Sequence, residues 1–154
     1  MIPAQMTPQA LEALLAEKIP VANFMQIQVV EIQADRLTLK APLAPNLNVH
    51  DTMFGGSATA IGLIAAWSLF STRLANAGIK ATVVAHKNSS VYLKPIDDEL
   101  VAEATLAETE SGQAWQDFLD RFNEKGRARL NLHTRLLCHQ ELAGEVEAVF
   151  VAIR

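Results

Sequence analysis

Cysteine is nearly absent. Cys138 is the only one in 154 residues, so no intramolecular disulfide can form and a reducing compartment suits the chain. It falls in an alternating run with Leu136 on the same face, which is how a small buried hydrophobe reads, rather than a reactive thiol. Charge is also sparse, at 19% of residues with a formal net charge of -4. That balance opposes a nucleic-acid partner held through phosphates, while still allowing a few local lysines or arginines to meet one small anion. The N-terminus has no basic stretch leading into an apolar one, so no secretory signal and a cytoplasmic location are expected. The histidines do not form a metal pattern: His133 and His139 share a polar strand face with Arg129 and Arg135, without ligand spacing or companions. Neither a metal nor another cofactor is expected. Ser57 and Ser68 have no evident His–Asp partner set, which argues against a serine nucleophile.

Half of the chain is hydrophobic, enough to bury a core as one domain over residues 1–154 and to exclude disorder. Residues 52–72 carry no charge and are long enough to span a bilayer. They are, however, rich in Gly, Ala and Ser, which suits close packing inside a protein. No membrane association is expected, and the stretch reads as a helix buried on nearly every side.

The rest of the chain falls into short elements. Thr7-Pro8 caps a helix within residues 1–20, with Leu11, Leu14 and Leu15 at helical spacing and Pro20 as its stop. Residues 25–42 alternate as a hairpin around Ala34-Asp35, with a bulge where the pattern slips between Val29 and Val30. Pro42 and Pro45 open a polar loop before the apolar helix, expected over 54–75 and closed near Gly78. Strands follow at 81–93, 99–108, 127–139 and 144–154. In the third of these, Leu130, Leu132, Thr134, Leu136 and Cys138 share one face. Between the second and third, Trp115, Phe118, Leu119 and Phe122 form one face of a helix at 113–125. A helix apolar all round needs something wrapped about it, and a curved antiparallel sheet can do this. The expected class is therefore α+β, with the sheet wrapped around a long central helix in the hot-dog architecture.

The junction Asn46-Leu-Asn48-Val-His50-Asp51-Thr52-Met-Phe54-Gly55-Gly56-Ser57 resembles the hot-dog thioesterase superfamily, many of whose members start their central helix with His-Gly-Gly. The resemblance is closest to a bacterial branch with Phe-Gly-Gly, sometimes fused behind an acetyltransferase domain. Val91-Tyr92-Leu93-Lys94-Pro95 and Gly126-Arg127-Ala128-Arg129-Leu130 agree with it, and the resemblance covers the chain from Val21 onward. It implies a homodimer or dimer of dimers, with acyl-CoA or acyl-carrier thioesters in a cleft between subunits. Two departures stand out. Phe54 replaces the histidine, and residues 60–64 contain no acid where many relatives carry one.

Thioester hydrolysis requires a carbonyl polariser and an activated water. The unpaired N–H groups of a helix start supply the first, which points to Gly55 and Gly56; the same glycines also suit tight helix–sheet contact. Asp51 can activate water or merely cap the helix. His50 is a second base candidate. Asn48 stands where relatives place an asparagine able to hold water or carbonyl; Asn46 reads equally as turn chemistry. In the polar strand run at 86–90, Lys87 suits a phosphate and Asn88 or Ser89 an amide, with Phe54 beside the substrate. An exposed edge or a subunit contact explains that run equally well. Met25, Met53, Phe54, Trp67 and Phe70 could line an acyl tunnel, but read rather as core. Beside hydrolysis, three other readings stay open: non-hydrolytic binding of acyl thioesters or fatty acids, dehydratase or hydratase chemistry, and a plain structural or interaction module.

Overall fold

In the computed structural model, which describes residues 2–154, Thr7 caps the first helix as its place before Pro8 predicts. Its Oγ1 accepts the Ala10 N–H at 3.1 Å. Helix α1 spans Pro8–Lys18 and buries Leu11 and Leu15. Pro20 ends it and also opens a second short helix, α2 (Pro20–Phe24), which the sequence pattern did not suggest. Proline is favourable at the first helical position for the same reason that it is unfavourable in the interior, since its missing N–H is not needed there.

Strands β1 (Gln28–Ile32) and β2 (Arg36–Ala41) form the expected hairpin. Their register shifts between Val29 and Glu31, so Val30 is the bulged residue. The central helix α3 runs over Gly55–Asn76. It closes as a Schellman motif: the Gly78 N–H donates to Ala75 O at 3.0 Å and the Ile79 N–H to Leu74 O at 2.9 Å. Gly78 adopts φ +71, a conformation costly for any residue with a Cβ.

Four strands follow: β3 (Thr82–Tyr92), β4 (Leu100–Leu106), β5 (Arg127–Cys138) and β6 (Glu141–Ile153), with α4 (Ala114–Lys125) between β4 and β5. All pair antiparallel in one curved sheet of order β1-β2-β4-β5-β6-β3. The strict alternation of β5 is realised, with Leu130, Leu132, Thr134, Leu136 and Cys138 buried. These residues face α3, which packs across β2, β4, β5, β6 and β3. Its length and composition would suit a membrane span, but here it is the core helix of the fold, with Ile61, Ala65, Ala66, Leu69 and Phe70 fully sealed.

Gly62 lets the helix approach the sheet closely. A Cβ there would stand 2.8 Å from Val146 Cγ2, and the buried Thr134 Oγ1 donates to Gly62 O at 3.1 Å. At the far end of α3, Phe70 meets Trp115 and Phe118 edge-on, with centroids at 6.4 and 5.2 Å. The aromatic stripe of α4 is thus a packing surface. Met25, Met53 and Phe70 are core residues as expected, whereas Phe54 is 56% exposed.

Candidate functional site

The loop before α3 is built around Asn48. A bridge between Leu47 and Met53 closes its base, and the Asn48 N–H donates to Thr52 O at 2.8 Å. The Asn48 Oδ1 accepts the N–H groups of His50 and Thr52 at 2.8 and 3.2 Å. Its Nδ2 donates to Thr52 Oγ1 and Met53 O at 2.9 and 3.3 Å. Two donors and two acceptor sites are an amide's full complement, so this side chain is committed to holding the loop. Beneath it lies the buried Asn46. Its Nδ2 donates to Met25 O and Pro42 O at 3.0 and 2.8 Å, while its backbone O receives the Phe54 N–H at 2.8 Å.

With the loop shape set by Asn48, His50 and Asp51 stand exposed at its rim. Asp51 adopts φ +60, which aspartate tolerates better than most residues. Its carboxylate has no hydrogen-bond or ion-pair partner among the described residues, and it does not cap α3. The N-cap is Phe54, with no side-chain cap hydrogen bond. The first N–H groups of α3 therefore lack an intrahelical acceptor and a capping side chain.

Two aromatic rings flank these groups. A Cβ on Gly56 would collide with Phe54 Cε2, so the Phe54 ring lies over Gly56. A Cβ on Gly55 would be 3.3 Å from Tyr92 Cζ. Tyr92 donates its hydroxyl to Gly55 O at 3.0 Å, leaving its oxygen to accept from Thr59. Thr59 Oγ1 is in turn 2.8 Å from Ser90 Oγ. This chain of hydroxyls ties Ser90 and Tyr92 of the strand to Thr59 near the start of α3, a link that escaped the sequence reading.

Its placement depends on a second bulge. The β3–β6 register shifts between Ala85 and Lys87, with His86 as the extra residue. Before it, Val83 and Ala85 lie opposite the buried Ala152 and Phe150, on the helix side. After it, the helix side belongs to Asn88, Ser90 and Tyr92, opposite Ala148, Val146 and Gly144. Unbroken alternation would have put Lys87, Ser89 and Val91 there. The bulge thus divides the predicted set: Asn88 faces the helix side, while Lys87 and Ser89 turn outward. All three border one cleft of about 600 Å³, together with Glu108, Asn131 and Glu147. A larger cleft of about 760 Å³, lined by Arg73, Trp115 and His133 among others, lies away from the glycine pair.

Away from this site, Ser68 is fully buried within α3, beyond the reach of any substrate. His133 sits 3.5 Å from Glu145 on the outer face. His139, expected to lack companions, has them: Asp97 Oδ1 is 2.7 Å from its Nε2, and Cys138 is adjacent. The first comes from a loop 42 residues earlier, a distance no local pattern reveals.

Comparison with known proteins gives a consistent picture. A family model described as "Putative thioesterase (yiiD_Cterm)" matches residues 8–154. A protein of unknown function from Chlorobaculum tepidum superposes with TM-score 0.84 at 22% identity, covering 96% of this chain and 97% of its own. A "putative thioesterase" from Shewanella oneidensis gives 0.83 at 24%, with the same coverages of 96% and 97%. A thioesterase from Haemophilus influenzae gives 0.78 at 15%, covering 97% and 92%. At these identities the three structures establish the fold. The family model spans the helix start, the bulged strand and the closing hairpin alike, and the chain belongs to this thioesterase family of hot-dog proteins.

Proposed function

We propose that the protein hydrolyses acyl thioesters of CoA or of an acyl carrier protein at the start of α3. The observation that carries this reading is an uncapped helix N-terminus, opened by two glycines and flanked by the Phe54 and Tyr92 rings. In the reaction, the thioester carbonyl oxygen lies against the Gly55 and Gly56 N–H groups. These groups and the helix dipole stabilise the oxyanion formed when water adds. Asp51 takes the proton of that water, with His50 as the second group on the same loop. Asn48 keeps the loop in shape. The intermediate collapses by breaking the C–S bond, releasing a carboxylic acid and the free thiol. Phe54 and Tyr92 wall the acyl or pantetheine arm, Asn88 meets its amides, and Lys87 and Ser89 meet a carrier phosphate around the strand edge.

The partner that completes the cleft is a second copy of this chain, as a homodimer or a dimer of dimers in the cytoplasm. Supporting this, β3 is an eleven-residue edge strand with Val84 and Val91 exposed, and such an edge favours pairing with another strand. Light scattering on the purified protein that returned a monomer's mass would count against it.

The deciding experiment is incubation with acyl-CoAs from short to long chains, following free thiol release. Turnover supports hydrolysis. One observation favours a second reading, non-hydrolytic binding of acyl thioesters: the second turn of α3, residues 60–64, holds only apolar side chains and a glycine. Saturable acyl-CoA binding without thiol release would establish it, whereas turnover of an enoyl or 3-hydroxyacyl substrate would indicate hydratase or dehydratase chemistry.

Gly56→Ala separates the proposed role of the helix start from stability. The new methyl displaces the half-exposed Phe54 ring and stands beside the N–H groups. Turnover is expected to drop about tenfold or more, while stability changes by at most about 1 kcal/mol, because alanine is the better helix former. Thermal unfolding and thiol release measured on one preparation check both halves.

A further inference from the structure

The hairpin turn between β5 and β6 brings together three side chains that the hydrolytic reading does not use. Asp97 Oδ1 lies 2.7 Å from His139 Nε2 and 3.8 Å from Cys138 Sγ. One donor atom from each of the three residues falls within 4.8 Å of the others. We propose that Asp97, Cys138 and His139 bind a thiophilic divalent cation, Zn²⁺ by the chemistry of the donors.

Carboxylate, thiolate and imidazole are all zinc ligands. With bonds of about 2.0–2.3 Å in a tetrahedron, ligand atoms sit roughly 3.3–3.8 Å apart. The observed spacings bracket that range, so small rotations of two exposed side chains suffice to seat an ion. Asp98 Oδ2 lies 3.9 Å from the other ring nitrogen, Nδ1, outside hydrogen-bond distance but within reach of a side-chain rotation that would make it the outer carboxylate of a metal-bound imidazole. Cys138 anchors the set from the core side, being 5% exposed, while Asp97 and His139 leave a fourth position open to solvent.

Binding replaces the Cys138 S–H bond to hydrogen with a bond to the metal and releases one proton to solvent. The ion links the β5–β6 turn to the loop at 96–98. That loop also holds the start of the helix, because Ile96 O accepts the Met53 N–H at 2.7 Å. The site thus braces the segment leading into Gly55, whether or not the chain hydrolyses thioesters.

The test uses the full chain, stripped with chelator and titrated with Co²⁺. The expected result is saturable one-to-one binding, with a thiolate-to-cobalt charge-transfer band in the near ultraviolet and tetrahedral d–d bands, both abolished by Zn²⁺. Cys138→Ser, nearly isosteric, should lose the charge-transfer band while keeping its circular dichroism. His139→Ala should weaken affinity at least tenfold, and Asp98→Asn about tenfold. Absence of a charge-transfer band in the folded wild type overturns the proposal, as does metal binding that Cys138→Ser and His139→Ala leave unchanged. Neither result depends on thioesterase activity.

Discussion

Asp51→Ala is expected to lower acyl-thioester turnover about a hundredfold, at the low end of what a positioned base contributes. The loop should survive the change. Its shape depends on the four hydrogen bonds of the Asn48 amide and the Leu47–Met53 bridge, none of which involves the Asp51 side chain. Alanine at φ +60 adds roughly 1 kcal/mol of local strain, which is a reason to measure Asp51→Asn alongside. Asparagine tolerates that conformation and keeps the shape but cannot take a proton. Both variants should bind substrate with KM near that of the wild type and lose kcat. Turnover within tenfold of wild type in Asp51→Asn would remove Asp51 as the base and leave His50, the other titratable group at the rim, to be tested next.

The largest effect on stability is expected from Phe70→Ala. Phe70 is fully buried and joins the central helix to the inserted one through edge contacts with Trp115 and Phe118. Truncating a buried phenylalanine costs about 4 kcal/mol in lost transfer energy and residual cavity. In a domain of this size that lowers the thermal midpoint by roughly 8–16 °C. It is also a large share of the 5–15 kcal/mol that typically separates folded from unfolded, so the variant should unfold at markedly lower urea. Trp115, stacked on Phe118 at 5.1 Å, reports the same region by fluorescence. A loss below about 1 kcal/mol would mean that α4 does not rest on α3 as described.

The β5 face, the α4 stripe and the apolar α3 were readable because a side chain's direction within a helix or strand repeats with a fixed period, and burial selects on that period. The Thr7 cap, the Val30 bulge and the Gly78 terminus were readable because each is a local conformational preference of one or two residues. The family resemblance was readable because its three short stretches, Asn46 to Ser57, Val91 to Pro95 and Gly126 to Leu130, are contiguous runs in the right order, and the family model matches residues 8–154.

Other features had no local signature. One extra residue at His86, set by pairing with β6, decided that Asn88, Ser90 and Tyr92 face the helix while Lys87 and Ser89 do not. Asn48 read as able to hold water or the carbonyl, yet its amide is hydrogen-bonded within its own loop, since hydrogen-bond partners are a property of the folded backbone. Asp97 reached Cys138 and His139 only because the β5–β6 turn returns to the loop after β3. Periodicity and turn preference therefore specified the elements from the sequence alone. Which polar side chains meet was left to strand register and chain return, because those depend on pairings dozens of residues apart.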